Sequence, residues 1–163
     1  MQTQPMQSHS PTPNKPSTPH RTVVWASLAL FVLACSLPAL TFAEKRPEVF
    51  FGGLLLGFGW MGSFVGQFGW FANVFYGFAM LSLFFRRWLL AAILGLVGVG
   101  ISFHTFAIVN QRIPKNEAAT SYYGPVSFGP GVYVWIASLA LLVIGAVYIG
   151  WSSTPSTPPA SSR

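Results

Sequence analysis

The sequence predicts an all-α fold, a polytopic helical transmembrane bundle of five crossings with disordered termini. Apolar residues make up 52% of the 163 positions. Charged residues make up 7%, against roughly 25% in an average soluble domain, so a soluble fold would leave apolar surface uncovered. The charges also fall outside the apolar runs: Lys15 and Arg21, then Glu44, Lys45, Arg46 and Glu48, then Arg86 and Arg87, then Arg112, Lys115 and Glu117, and last Arg163. Charges so placed mark the ends of membrane segments.

Residues 1–21 are rich in Pro, Ser and Thr and nearly free of large apolar side chains. Such a segment cannot bury enough surface to offset the entropy of ordering, and it predicts a flexible tail. Residues 152–163 have the same composition and predict the same. Between them, residues 22–151 form the membrane domain.

Its first apolar run, Thr22 to Ala43, is long enough to cross a hydrocarbon core of ~30 Å at ~1.5 Å per residue. Pro38 interrupts the second half, which a membrane helix tolerates when neighbouring groups satisfy the freed carbonyl. Two cleavage readings compete. Val32-Leu33-Ala34-Cys35 approximates a lipoprotein signal, and Thr41-Phe42-Ala43 a signal-peptide end. The run is longer than a signal peptide needs and continues past Cys35, which favours a retained helix.

The second run, Val49 to Phe85, exceeds one crossing of roughly 20 residues and predicts two. The break is expected at Gly66-Gln67-Phe68-Gly69-Trp70-Phe71-Ala72-Asn73, where two amides arrive and Trp70 suits the headgroup boundary. The alternative is four crossings plus a re-entrant segment, Val49 to Gly66 dipping in and returning. Arg86-Arg87-Trp88 then makes a short turn into Leu89 to Ile108. Asn110 to Val132 reads as a loop punctuated by Pro114, Gly124-Pro125 and Gly129-Pro130-Gly131. Tyr133 to Trp151 is the last run.

Orientation follows the crossing count, because cations in short loops favour the cytoplasmic side. Five crossings place Lys45, Arg46, Arg86, Arg87 and Arg163 inside and Lys15, Arg21, Arg112 and Lys115 outside, too even a split to decide. Four crossings with Arg86 and Arg87 inside make both tails cytoplasmic, in agreement with Arg21 preceding the first helix.

The residues that could carry function are few. Gly52, Gly59, Gly62, Gly66 and Gly69 recur at spacings that stack them on one helical face, where missing side chains let backbones approach closely. Gly53 and Gly57 repeat the small-xxx-small spacing. Packing within the chain is the first reading of this face, oligomerisation the second, and a pore-lining or substrate-facing backbone the third. Gln67 and Asn73 either cap a helix end or line a polar cavity beneath Trp70. His104 is the ionisable side chain inside an apolar run, and an interfacial or interhelical hydrogen bond is expected of it before proton transfer or metal ligation. Trp25, Trp70, Trp88, Trp135 and Trp151 suit an aromatic belt, and Trp60 is placed to fill the groove the glycines leave.

Other classes are disfavoured. The net charge of +6 is scattered over six places, which does not make a nucleic-acid surface. The single cysteine, Cys35, rules out an intrachain disulfide. No phosphate-binding loop, metal-spaced His-Glu pair or nucleophile elbow occurs, so neither an enzyme nor a cofactor is expected. The expected partners are the lipid bilayer and either a second copy or another membrane protein.

At Gly59-Trp60-Met61-Gly62 and Gly66-Gln67-Phe68-Gly69-Trp70-Phe71-Ala72-Asn73 the chain resembles small uncharacterised bacterial inner-membrane proteins. In those, a Gly-Trp-x-Gly and a Gln-Phe-x-Trp-x-Ala-Asn run join two membrane segments. Gly131-Val132-Tyr133-Val134-Trp135 is similar to theirs as well, whereas Val74 stands where such relatives often have proline. The resemblance implies a bacterial cytoplasmic membrane and brings no activity. The expectation is thus a non-enzymatic structural or partner-binding membrane protein, with a small transport or channel subunit as the alternative.

Overall fold

The computed structural model describes residues 18–111, 113–115, 118 and 120–153. The tails expected at the two ends lie outside these residues, except that the first helix already starts at Thr18 and the last reaches Ser152.

Helix α1 (Thr18–Ser36) ends just before Pro38. Proline lacks an N–H and crowds the preceding residue out of the helical region. The chain therefore leaves the helix at Leu37 and continues as strand β1 (Pro38–Phe42), where the sequence predicted helix to Ala43. Strand β2 (Glu48–Phe51) pairs antiparallel with one edge of β1, and β3 (Val126–Phe128), from the loop before the last helix, with the other. The Ala43 N–H donates to the Pro125 carbonyl at 2.9 Å and the Gly129 N–H to the Ala39 carbonyl at 2.8 Å, extending the β1–β3 pairing beyond its register. The molecule is mostly helical with a small sheet, a correction to the all-α expectation.

Five crossings are not what this chain builds. After β2 come α2 (Gly52–Phe58), seven residues long, and a tight 3₁₀ segment, Gly59–Val65. Gly66 then turns the chain with φ of 80°, a left-handed conformation costly for any residue with a Cβ. A second 3₁₀ turn, Gly69–Phe71, leads into α3 (Ala72–Phe84). Both ends of this stretch lie beside the sheet: Gly52 abuts Ala34 and Cys35 at the end of α1, and the Asn73 side chain is bonded to Trp135 near the start of α5. Glycine is a poor helix former in the middle of a segment, and six of the fifteen residues from Gly52 to Gly66 are glycine. The segment folds back instead.

Helix α4 (Trp88–Ser102) runs on as a 3₁₀ segment, Phe103–Asn110, and α5 (Pro130–Ser152) is the last helix. Trp88–Asn110 and Pro130–Ser152, 23 residues each, are the two described helices long and apolar enough to cross a membrane. The other apolar helical stretches, His20–Ser36, Gly52–Val65 and Gly69–Phe84, are shorter.

Four helices form an up-down bundle in which α1 packs on α5, α5 on α4 and α4 on α3. Small residues set the spacing: Ala72, Ala79, Ala91, Ala92 and Ala146 are buried at its centre with Leu83, Leu139, Leu142 and Ile149. Ser27, Ser102 and Ser138 are buried as well. The Ser27 hydroxyl donates to the Ser138 carbonyl at 2.9 Å, so the Tyr76 hydroxyl at 2.8 Å donates to Ser27 Oγ, and α1, α3 and α5 are tied together. Phe31 stacks on Tyr76 with ring centroids 4.8 Å apart. Large apolar side chains point away from this interior, among them Leu33, Phe78, Phe84, Ile93, Leu96 and Ile144.

Between α3 and α4 the Arg87 N–H donates to the Ser82 carbonyl and the Arg86 N–H to Leu83, the paired bonds of a Schellman turn. Its left-handed position is taken by Arg86, with φ of 60°, where glycine is usual. Arg86→Gly is expected to stabilise the fold by about 1 kcal/mol, read as a higher unfolding midpoint in detergent, and Arg86→Val to lower it.

At the sheet end Glu44 accepts from Lys115 at 2.8 Å and from the Gly124 N–H at 3.0 Å, and the Lys115 ammonium sits 5.1 Å from the Tyr123 ring centre. The hydrogen bond from Lys115, then that from Gly124, holds the Glu44 carboxyl below its ordinary value, and the same partner raises Lys115. A lowered carboxyl contributes above its unfolded pKa of about 4.3 and loses that contribution as pH falls through the folded value. Protection of the Gly124 amide, its exchange rate relative to the intrinsic rate at the same pH, is therefore expected to fall as pH drops below the unfolded value of about 4.3, and Glu44→Gln to remove that dependence.

A candidate binding cavity beneath the glycine hairpin

The hairpin from Gly52 to Asn73 roofs a cavity of about 480 Å³. Its walls come from Phe31, Ala34 and Cys35 of α1, Leu40 and Phe42 of β1, and Leu55 of α2, with Ile108 and Val132 at its buried side. Gln67, Asn73 and Thr105 are among the polar residues on the lining, and none of the lining residues is charged. The lining residues that are also exposed are Leu54, Phe58 and Val65, all on the hairpin, so the mouth lies there and is apolar.

The five predicted glycines are spread over successive elements and do not share one continuous helical face. Gly52 sits against the Ala34 carbonyl. A Cβ on Gly59 would lie 2.6 Å from Trp70 Cδ1, and one on Gly62 3.0 Å from Gln67 Cβ. Gly66 is the left-handed turn, and Gly69 faces Thr105, whose backbone nitrogen would be 3.1 Å from a Cβ there. Gly53 approaches the Cys35 carbonyl, while a Cβ on Gly57 would meet nothing within 4 Å.

Trp70 locks the return leg of the hairpin. Its indole N–H donates to the Leu56 carbonyl at 2.8 Å while its ring covers Gly59. Trp60, expected in the glycine groove, is exposed instead and meets Phe64 edge-on at 6.2 Å. Trp135, expected in the aromatic belt, donates its indole N–H to Asn73 Oδ1 at 2.9 Å and joins α5 to α3.

Gln67 and His104 are brought together across 37 residues of chain. The Phe68 N–H donates to His104 Nδ1 at 3.3 Å, so that nitrogen is an acceptor and the ring proton sits on Nε2. The Gln67 carboxamide then turns its nitrogen to His104 Nδ1 and to the His104 carbonyl, 3.1 Å each, and its oxygen accepts the Ile108 N–H at 2.9 Å. Gln67 thereby pins the hairpin to the 3₁₀ end of α4. Gln67→Leu leaves these groups without their partner and is expected to destabilise by about 1–3 kcal/mol, with faster proteolysis near Gln111.

No group of three or more metal-ligating side chains occurs among the described residues. Thr105 is a cavity residue that the sequence reading passed over, since a threonine within an apolar run carries no signal until the elements around it are placed, and Cys35, read there for cleavage and disulfide formation, lines the cavity as well. The arrangement can enclose a neutral apolar molecule. The chain matches no protein-family model, no curated protein and no solved structure.

Proposed function

We propose that the chain is an integral membrane protein of four crossings that acts without catalysis, as a binding protein whose working part is the capped, hairpin-bearing half. The observation that carries this reading is the distribution of side chains. Alanine, glycine and serine occupy much of the bundle interior beside Leu83, Leu139, Leu142 and Ile149, while Phe78, Phe84, Leu96, Ile144 and other large apolar residues cover its outside. Soluble monomers rarely expose apolar patches beyond a few hundred Å². Small residues inside and hydrocarbon outside is the pattern of helices packed in lipid.

The lengths are compatible. α1 has 19 residues, and Gly69–Phe84 spans about 26 Å when its 3₁₀ and α portions are summed, a mismatch a bilayer absorbs by local thinning. Arg21, Arg86 and Arg87 share one end of the bundle, whereas Glu44, Lys45, Arg46, Glu48 and Lys115 share the sheet end. On this reading the first end is cytoplasmic. The resemblance of the hairpin supports a bacterial cytoplasmic membrane as its place. Leu139 and Leu142, fully buried, plug the bundle centre, which favours a binding protein over a transport or channel subunit.

Retention of the protein in the membrane pellet after an alkaline wash is the expected result, and release into the soluble fraction would contradict the proposal. A photo-reactive residue at Tyr122, which is 45% exposed in the loop at the sheet end, is expected to capture a protein partner stoichiometrically. Channel currents from the purified protein in vesicles would favour the transport alternative.

A further inference from the structure

The cavity beneath the hairpin invites the question of what fills it. At about 480 Å³ it falls within the roughly 300–1,000 Å³ of sites that hold small molecules. Its lining contains no charged residue, so an ionised carboxylate or phosphate inside it would lose its hydration without compensation. The polar wall groups with resolved bonds are turned to protein: the Trp70 N–H to Leu56, the Trp135 N–H to Asn73, and the Gln67 carboxamide to His104 and Ile108. Beside Cys35, Asn73, Thr105 and Tyr123, the rest of the wall is hydrocarbon and aromatic surface, from Phe31 and Leu40 to Ile108 and Val132.

The mouth adds a direction. Leu54, Phe58 and Val65, the lining residues that reach the surface, belong to the apolar outer face of the hairpin, which also exposes Trp60, Met61 and Phe64. On the membrane reading above, on which this inference rests, that face lies against lipid. A molecule arriving from the bilayer meets an apolar opening and an apolar interior.

We infer that the cavity is a binding site for one acyl chain of a bilayer phospholipid, inserted tail first through the opening at Leu54, Phe58 and Val65, with the headgroup left outside the mouth. The glycines give the site its shape. Gly52 lets the hairpin close on Ala34 of α1, Gly59 lets the Trp70 ring lie over it, and Gly62 lets Gln67 on the return leg approach.

The test uses the full chain reconstituted in phosphatidylcholine bilayers that carry a diazirine near the end of one acyl chain. After illumination, adducts are mapped by mass spectrometry. Adducts are expected on Ile108 and Val132, which are buried and line the cavity, as well as on Ile93, Leu96 and Ile144 of the outer surface. Leu55→Trp narrows the cavity and is expected to abolish the interior adducts while leaving the outer ones. Adducts confined to the outer residues would overturn the site and leave the membrane reading standing. Adducts nowhere would overturn both. Interior labelling that persists undiminished in a monodisperse Leu55→Trp protein would overturn the route through this cavity. Interior labelling by a free fatty acid bearing the same diazirine, but not by the phospholipid, would overturn the assigned source.

Discussion

A Gly69→Val protein is expected to unfold well below the parent's midpoint, with a loss of about 3 kcal/mol, at the upper end of what overpacking costs. Gly69 lies where the hairpin's return meets the 3₁₀ end of α4. A Cβ there would collide with the Thr105 hydroxyl and stand 3.1 and 3.2 Å from the Thr105 backbone nitrogen and Cα. A hydroxyl can rotate, but the backbone cannot yield without moving the segment that carries His104 and Ile108. Those two residues hold Gln67, so the damage should spread to the cavity. Gly57→Val is the control, since a Cβ at that position meets nothing within 4 Å. Its midpoint is expected to stay near the parent's. Equal losses from the two variants would show that valine harms this segment whatever it touches.

The second large effect is expected at the seam between α1 and α5. A side chain on Gly145 would run into Val23, whose Cγ2 and Cβ would be 2.8 and 3.1 Å from the new Cβ. Valine is stiff about χ1 and cannot swing aside. Gly145→Leu is therefore expected to part the helices and cost about 2–3 kcal/mol, read as a lower thermal midpoint in detergent. Val23→Ala in the same chain removes the obstructing methyls and is expected to recover part of the loss, a coupling that distant sites would not show. Additive effects of the two changes would place α1 elsewhere. The Ser27 to Ser138 bond belongs to the same seam, so α1 should loosen along its length.

Much of the helical part was legible in the sequence because hydrophobic runs and charged ends are local signals. Leu89 to Ile108 and Tyr133 to Trp151 correspond to the two described helices long and apolar enough to cross a membrane, and Arg86-Arg87 to the turn between α3 and α4. The sheet was hidden. β1 lies inside an apolar run that composition reads as helix, and β3 pairs with it from more than eighty residues away, as Leu40 with Phe128 shows. Pro38 was the available local signal, and its effect depends on whether neighbours rescue the helix or the chain finds another pairing.

The hairpin was legible in composition and not in shape. Glycine spacing suggests a common helical face only if the backbone stays helical, and the change to 3₁₀ geometry at Gly59 and the turn at Gly66 remove that premise. The polar residues Gln67, Asn73 and His104 stood out singly. That Gln67 meets His104, and that Asn73 meets Trp135, depends on how α4 and α5 come back to the same end of the bundle. Cys35 and Thr105 become cavity residues through the same long-range placement.

The proposed topology has the chain cross the bilayer four times, with the sheet on one side and the Arg86–Arg87 turn on the other. Single cysteines at Arg46 and at Arg87, both exposed, introduced separately into a Cys35→Ala protein, test it with a membrane-impermeant thiol reagent applied to sealed vesicles. Four crossings require the two positions to be labelled from opposite faces of the membrane. Labelling of both from the same face, as five crossings would give, would contradict the account.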